Sequence, residues 1–294
     1  MTTTPKIAWI GLGAMGAPMA LATAEAGMSV TAYDVSPDSL KTVESHLSVA
    51  SNAREAVTGA DVVAIMVATG AQLDSVLFGD DGVASELKQD TVVLVMATVG
   101  PQAIESAAAR LEDVNVRVVD APVSGGVARA KTGDLLIMVG GESSDVSVVQ
   151  PLLNAMAAKS PVVGPKPGDG QRFKIVNQLL CGVHIAAAAE ALALADSMGL
   201  DLTQVHDVLG TGAAASFMFS DRGQRMVDEN FDDVRSALDI FVKDMGLVSE
   251  AAREVHQQVP LSSTAEQLYV RGHREGLGRK DDSITFKLLR GESD

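Results

Sequence analysis

The chain has 294 residues, of which 47% are hydrophobic, so it can bury the cores of two domains and is not a disordered chain. Its 23 basic and 38 acidic side chains give a formal net charge of -15. This charge argues against nucleic-acid binding, which requires basic side chains to neutralise the phosphates. The single cysteine, Cys181, excludes an intramolecular disulfide and is typical of a reducing cytoplasm.

The start MTTTPKIAWIG has no basic region ahead of an apolar run. No stretch reaches the roughly 20 apolar residues of a membrane helix. We therefore expect a cytoplasmic protein that binds neither membranes nor nucleic acid.

Short β-branched runs alternate with helical patterns over the first half of the chain. The runs are KIAWIG (6–11), SVTAYD (29–34), DVVAIMVA (61–68), TVVLVMA (91–97), VRVVDAPV (116–123), LLIMVGG (135–141) and SPVVG (160–164). Strands that are buried on both faces are continuously apolar, so this alternation predicts an α/β fold with a doubly wound parallel sheet of the Rossmann type. Between the first two runs, an Ala-rich helix is predicted from Pro18 to Gly27.

The segment GPKPGDG at 164–170 marks a domain boundary, because it concentrates glycine and proline and few strand patterns follow it. We expect an α/β domain over 1–164 and an all-helical domain over 165–294. From Gln171 to Gly199 the chain has no proline and many alanines and leucines, which predicts one helix roughly 40 Å long that joins the two domains.

The stretch GLGAMGAPM places Gly11, Gly13 and Gly16 in the spacing G-x-G-x-x-G, between a predicted strand and a predicted helix. In that context the glycines allow a tight turn, close approach of a pyrophosphate and close helix packing, and the helix start offers amides to the phosphates. The predicted cofactor-binding residues of this loop are Gly11, Leu12, Gly13, Ala14, Met15 and Gly16. The alternative is a glycine-rich turn that binds nothing.

Asp34 ends the second predicted strand, 18 residues after Gly16. Its carboxylate can accept hydrogen bonds from the ribose hydroxyls and would repel a 2′-phosphate, which no Arg or Lys at 35–40 offsets. The sequence therefore favours NAD over NADP. An exposed strand-end carboxylate without a ligand is the alternative.

Lys174 lies one turn into the long predicted helix, directly after the glycine-rich boundary. Asn177 and Gln178 share its helix face, so an ammonium and two amides could hold a substrate oxygen and exchange a proton with it. The alternative is a solvated helix lysine. The five histidines have no HxxxH or HExxH spacing, and no metal site is predicted.

The segment DAPVSGG at 120–126 follows a predicted strand. There Ser124, Gly125 and Gly126 could form a cradle of amides and a hydroxyl for a carboxylate at the edge of the sheet. A flexible turn fits the spacing equally well.

Five segments occur in the order typical of one enzyme family: GLGAMGAPM, ATVGP (97–101), DAPVSGG, GDGQRFKIVNQ (168–178) and FVKDMGL (241–247). On these motifs, which span nearly the whole chain, the sequence resembles the β-hydroxyacid dehydrogenase family. The resemblance implies a Rossmann domain followed by a helical domain for substrate binding and oligomerisation, and assembly as a homodimer or homotetramer. It also implies NAD-dependent oxidation of a small hydroxy acid.

The resemblance assigns roles to individual residues. Lys174 matches the catalytic lysine, the general base when the alcohol is oxidised, and Ser124 to Gly126 match the carboxylate-binding turn. Thr98 matches a cofactor contact, and Lys243 with its neighbour Asp244 matches a pair near the nicotinamide. Asn177 and Gln178 are the predicted contacts to the remaining substrate groups.

The chain departs from the commoner family pattern at Gln178, where many relatives have Asn, and at Ala97, where many have Ser. Residues 174–195, KIVNQLLCGVHIAAAAEALALA, are similar to the L-threonate dehydrogenase branch, whose members oxidise four-carbon acid sugars at the 2-hydroxyl. Tartronate semialdehyde reduction and 3-hydroxyisobutyrate oxidation are alternatives that would use the same residues. A cofactor-binding interaction module is the alternative outside enzymes, but such modules lack the lysine.

Overall fold

A computed structural model describes residues 5–290, which fold as two compact units. The first unit ends at Lys174 and the second begins at Ile175. This division falls later than the predicted boundary at 164 and 165, because the first turn of the long helix is bonded to the first unit. The roles predicted for the two domains stay predictions.

Eleven strands form two sheets in the described part of the first unit. They are β1 (Lys6–Ile10), β2 (Ser29–Tyr33), β3 (Ser48–Val49), β4 (Val62–Ile65), β5 (Val92–Val95), β6 (Arg117–Asp120), β7 (Val123–Ser124), β8 (Leu135–Ile137), β9 (Val139–Gly140), β10 (Ala157–Lys159) and β11 (Val162–Gly164).

The larger sheet has the strand order β11-β9-β6-β5-β4-β1-β2-β3, in which all neighbours are parallel except β6 and β9. The order reverses between β1 and β4, and in a doubly wound sheet this is the point where ligands bind beyond the carboxyl ends of the strands. The predicted Rossmann architecture is confirmed.

Two predicted strands are each divided between the two sheets. The run 116–123 is interrupted before β7, and the run 135–141 is interrupted at Met138. Pro122 explains the first break, because it has no N–H to donate to a strand ladder, and its carbonyl accepts the N–H of Met138 at 3.1 Å. The smaller sheet, in the order β10-β8-β7, was not predicted.

Both faces of the larger sheet are buried, as the continuous apolar runs predict. In β1, Ile7 and Trp9 belong to one apolar cluster, whereas Ala8 and Ile10 belong to another. Alternate side chains of a strand point to opposite faces, so these clusters are the two cores of a three-layer unit. Its helices are α1 (Gly16–Glu25), α2 (Pro37–Lys41), α3 (Ala53–Val57), α4 (Gly70–Phe78), α5 (Pro101–Glu112), α6 (Gly126–Lys131) and α7 (Ser143–Met156).

The long helix α8 (Asp169–Ser197) crosses the division, and within the described residues 175–290 the second unit contains its remainder and five further α-helices. These are α9 (Leu202–Leu209), α10 (Phe217–Val227), α11 (Leu238–Glu254), α12 (Pro260–Arg274) and α13 (Thr285–Arg290). Tyr269 is central to their core: its ring stacks on Phe241 at 5.2 Å, and its hydroxyl donates to the Gly182 carbonyl at 2.7 Å. The predicted all-helical character of this part is confirmed.

Among the described residues, α8 is the one helix long and apolar enough to cross a membrane by length and composition. This corrects the expectation that no stretch qualifies. Within this protein, however, 44% of its most apolar stretch of 18 residues is buried, and the core helix of a globular protein can have the same length and composition.

Candidate active site

The glycine loop joins β1 to α1 at the reversal point of the sheet. Gly11 has a φ of +96°, and a Cβ there would lie 2.1 Å from the Met66 carbonyl oxygen. A Cβ on Gly16 would lie 2.1 Å from the carbonyl oxygen of Gly11. At Gly13 the space is open, and no side chain caps the start of α1 at Met15. The loop therefore combines close packing with an uncapped helix start, as a pyrophosphate site requires.

Asp34 follows β2 and is bonded to the glycine loop. Its Oδ2 accepts the backbone N–H of Leu12 at 2.6 Å, and its Oδ1 accepts the N–H of Ser36 at 2.8 Å. Each carboxylate oxygen has a second lone pair, so Asp34 can still accept ribose hydroxyls. Leu12 itself is buried in the core and takes part in the loop through its backbone, whereas Gly13 and Ala14 are exposed.

Thr98 lies half-buried after β5, in a loop that is fixed by the side chain of Gln171. Gln171 Oε1 accepts the N–H groups of Val99 at 3.0 Å and Gly100 at 3.1 Å, and Nε2 donates to the Ala97 carbonyl at 3.0 Å. Gln171 carries no local sequence signal for this contact, because its partners lie more than 70 residues earlier in the chain.

Asp120, the last residue of β6, binds the start of α8. Its Oδ1 accepts the N–H of Gly168 and its Oδ2 accepts the N–H of Gln171, both at 2.8 Å. The side chain is fully buried. Burial raises the pKa of Asp120 to about 7, although both N–H bonds act in the opposite direction, and the charge of Asp169 also raises it.

Lys174 is only 6% exposed, so it is not the solvated helix lysine that the sequence left open. An ammonium is costly to bury without a function or a partner, and Lys174 has interactions in the folded protein. The predicted carboxylate turn also belongs to the first unit: Ser124 ends β7 half-buried, and α6 begins at Gly126.

In the second unit, Asn177, Gln178 and Lys243 are linked through Asp244, which is 2% exposed. Asn177 Nδ2 donates to Gln178 Oε1 at 2.8 Å, and Gln178 Nε2 donates to Asp244 Oδ2. Lys243 Nζ lies 2.9 Å from Asp244 Oδ1, as an ion pair rather than an aligned hydrogen bond. The sequence placed Asp244 only beside Lys243, whereas the structure puts it at the centre of this group.

Gln178 is 6% exposed, and both ends of its amide are engaged within the protein. The amide has one further donor hydrogen and one further lone pair, so it can still meet a substrate hydroxyl. In the described range 5–290, no group of three or more His, Cys, Asp or Glu side chains is arranged to hold a metal ion.

Comparison with known protein families matches both parts of the chain. Residues 6–164 match the NAD-binding domain of 6-phosphogluconate dehydrogenase. Residues 168–289 match the domain described as NAD-binding of NADP-dependent 3-hydroxyisobutyrate dehydrogenase. The two matches cover nearly the whole chain.

Individual relatives are similar over nearly their full length. An L-threonate dehydrogenase from Haemophilus influenzae is 38% identical over 290 residues, which are 98% of this chain and 96% of the relative. A 2-hydroxy-3-oxopropionate reductase from Escherichia coli is 30% identical over 97% of each chain. The crystal structure of a 3-hydroxyisobutyrate dehydrogenase from Salmonella typhimurium superposes with a TM-score of 0.90 at 38% identity, over 96% of this chain and 99% of that one.

The raised pKa of Asp120 makes the stability of the first unit depend on pH. An aspartate in an unfolded chain titrates at about 3.9, whereas Asp120 in the folded protein titrates at about 7. Between these values the folded state keeps a proton that the unfolded chain has lost. The contribution of Asp120 is therefore fully present below the unfolded pKa and is lost as the pH rises through the folded pKa.

We compare the unfolding free energy of the wild type with that of Asp120→Asn, which does not titrate. From about pH 5.5 to about pH 8 the wild type should lose about 2 kcal/mol more than the variant. Chemical denaturation followed by the fluorescence of Trp9, the sole tryptophan and a buried residue of this unit, measures the difference. A difference that stays constant over this range would contradict the raised pKa.

Proposed function

The chain belongs to the β-hydroxyacid dehydrogenase family and is an NAD-dependent dehydrogenase that acts on CH–OH groups, and we propose that its substrate is L-threonate or a related four-carbon acid sugar. The oxidation takes place at the 2-hydroxyl. The observation that carries the proposal is the 38% identity, over 98% of this chain, to a relative named L-threonate dehydrogenase.

The residues of the first unit suit the binding of NAD. The glycine loop and the uncapped start of α1 offer amides to the pyrophosphate, and Asp34 offers its carboxylate to the ribose hydroxyls. Asp34 also disfavours the 2′-phosphate of NADP. When bound, NAD supplies the acceptor for a hydride.

In the proposed reaction, Lys174 Nζ takes the proton of the 2-hydroxyl. The hydrogen on the same carbon leaves with both electrons of its C–H bond, and the alcohol becomes a ketone. Ser124, Gly125 and Gly126 hold the substrate carboxylate. Burial of Lys174 suits this role, because a catalytic base that is fixed and shielded from water needs little reorganisation.

Asn177 and Gln178 are proposed to orient the remaining hydroxyls, and Thr98 and Lys243 to contact the cofactor. The bonds around Asp244 support this assignment, because they fix both Gln178 and Lys243 in defined positions. The amide of Gln178 is one methylene longer than the Asn that is commoner in the family. It therefore reaches farther from the helix than an Asn at the same position would.

Two relatives favour specific alternatives within the same chemistry. The similarity to 2-hydroxy-3-oxopropionate reductase favours reduction of tartronate semialdehyde, and the Salmonella structure favours oxidation of 3-hydroxyisobutyrate. A module that only binds a cofactor would not need a buried lysine in α8, so Lys174 argues against that alternative.

A homodimer or homotetramer is also proposed, with the second unit forming the interface. Val176, Leu180, Leu194 and Met198 leave large apolar side chains exposed along α8 and at its end. Their spacing places them along one side of a helix, which is the pattern of a face covered by another helix. The lone cysteine supports a cytoplasmic location.

The substrate assignment is tested with L-threonate, 3-hydroxyisobutyrate and tartronate semialdehyde, each with NAD or NADP in the matching oxidation state. We expect the highest kcat/KM for L-threonate with NAD. The absorbance of NADH measures the rates. A higher kcat/KM for 3-hydroxyisobutyrate or tartronate semialdehyde would overturn the assignment of a four-carbon acid sugar as the substrate. The dehydrogenase chemistry would stay in place.

Lys174→Ala should lower turnover by roughly 10² to 10⁴, the usual contribution of general acid and base catalysis. NAD affinity should stay near normal, because Lys174 is assigned to the substrate oxygen and not to the cofactor. Steady-state rates and titration of NADH fluorescence measure the two quantities. If the variant kept more than a tenth of the wild-type turnover, Lys174 would not be the base.

Gln178→Ala should lower kcat/KM for L-threonate, because a substrate hydroxyl loses its partner. The loss of transition-state stabilisation calculated from the ratio of kcat/KM values should be about 1 to 3 kcal/mol, and much less for 3-hydroxyisobutyrate. Gln178→Asn, which is one methylene shorter, should move the preference toward 3-hydroxyisobutyrate.

Asp244→Asn is the matched comparison, because it removes the anionic partner of Gln178 and leaves Gln178 in place. Equal losses on both substrates for Gln178→Ala and Asp244→Asn would mean that Gln178 acts only by holding Asp244. The four-carbon specificity would then have to come from other residues.

A further inference from the structure

We propose that Gln171 and Asp120 are positioning residues for the reaction. Together they attach the first turn of α8 to the carboxyl ends of β5 and β6 and thereby fix the position of Lys174. This inference rests on the proposed role of Lys174 as the base, and it adds two residues to which the catalytic motifs give no role.

Gln171 holds the loop after β5 with its whole side-chain amide. Its oxygen accepts the N–H groups of Val99 and Gly100, and its nitrogen donates to the carbonyl of Ala97, at 3.0 to 3.1 Å. The side chain is 0% exposed, so no water replaces a lost bond without entering the core. Thr98, the predicted cofactor contact, lies between the residues that Gln171 holds.

Asp120 holds the same helix turn from the neighbouring strand. Its two carboxylate oxygens accept the N–H groups of Gly168 and Gln171, which lie at the start of α8. A helix start is ordinarily capped by the side chain of an adjacent residue, whereas this cap comes from 48 and 51 residues away. The start of α8 is thus fixed by tertiary contacts with the sheet.

Lys174 follows Gln171 by three residues, which is less than one helical turn. A shift at Gln171 is therefore transmitted to Lys174 through a rigid helix. The same shift also releases the loop that carries Thr98. Because a displacement of about 1 Å at a reacting group can cost about 100-fold in rate, these bonds matter for turnover as well as for stability.

Arg172 provides a matched control on the same helical turn. It is bonded to Glu105 and Asp169, but its side chain is 53% exposed and that of Glu105 is 46% exposed. Exposed pairs of this kind contribute little to stability or position. Arg172→Met thus removes charge and bonds next to Gln171 without touching the buried attachment.

The test is a double-mutant cycle between position 171 and position 174, with turnover of L-threonate measured at saturating NAD on the full chain. Gln171→Met, which keeps the length of the side chain and loses its three bonds, should lower kcat about 10- to 100-fold. In the Lys174→Ala background the same substitution should lower kcat less than threefold, because the group that it positions is already absent. Arg172→Met should change kcat less than threefold in both backgrounds.

Equal fold losses for Gln171→Met in both backgrounds would overturn the proposal, because Gln171 would then act independently of Lys174. Gln171→Glu and Asp120→Asn extend the test if Gln171→Met does not fold. Gln171→Glu keeps the acceptor of Val99 and Gly100 and loses the donor to the Ala97 carbonyl, whereas Asp120→Asn keeps one of two acceptor oxygens, and each should show the same dependence on Lys174. A Lys174→Ala variant that stays active would overturn the proposed base together with this inference. An additive cycle, with a Lys174→Ala variant whose turnover has fallen by roughly 10² to 10⁴ but is still measurable, overturns the inference alone.

A second readout is the primary deuterium isotope effect on kcat with substrate deuterated at the reacting carbon. If Gln171 positions the base, the chemical step slows and the isotope effect in Gln171→Met should rise above the wild-type value. A purely structural role would lower the amount of folded enzyme and leave the isotope effect unchanged, which would contradict the proposal.

Discussion

A buried carboxylate that binds the start of a helix determines the architecture of the proposed catalytic site. Asp120 accepts two N–H groups where α8 begins, and these bonds connect the sheet to the helix that carries Lys174. Leaving those donors unpaired in the core would cost about 1 to 3 kcal/mol each. The strand end, the glycine-rich turn and the first turn of α8 are therefore coupled, and the position of Lys174, the proposed base, follows from the position of the sheet.

The second unit contains a polar group built in the same way, around a carboxylate that is out of contact with water. Asp244 receives the amide of Gln178 and pairs with the ammonium of Lys243. Buried charges are tolerated when they are paired and hydrogen-bonded, and such networks hold side chains in single rotamers. Both units thus use a buried aspartate to fix the residues that are proposed to act on cofactor and substrate.

Much of this organisation could be predicted from local sequence patterns. Continuous apolar runs predicted the sheet that is buried on both faces, and the proline-free alanine-rich segment predicted α8. The glycine spacing between β1 and α1 predicted the turn. Local patterns could not predict the division of the runs around Pro122 and Met138 between two sheets, or the bonds of Gln171, because these depend on partners distant in the chain. Asp120 could have been recognised from the sequence, because it ends the run VRVVD and the strand ends of such sheets meet at the edge where ligands bind.

The bond between Asp34 and the Leu12 amide has an evolutionary consequence. The carboxylate that is proposed to distinguish the two nicotinamide cofactors also accepts an N–H of the loop that is proposed to bind their shared pyrophosphate. Exchanging this aspartate for a residue that tolerates a 2′-phosphate would remove the acceptor of the Leu12 amide in the same step. The change then requires a compensating substitution that restores an acceptor for the Leu12 amide. We therefore expect a substitution at position 34 to affect the support of the glycine loop together with the choice of cofactor.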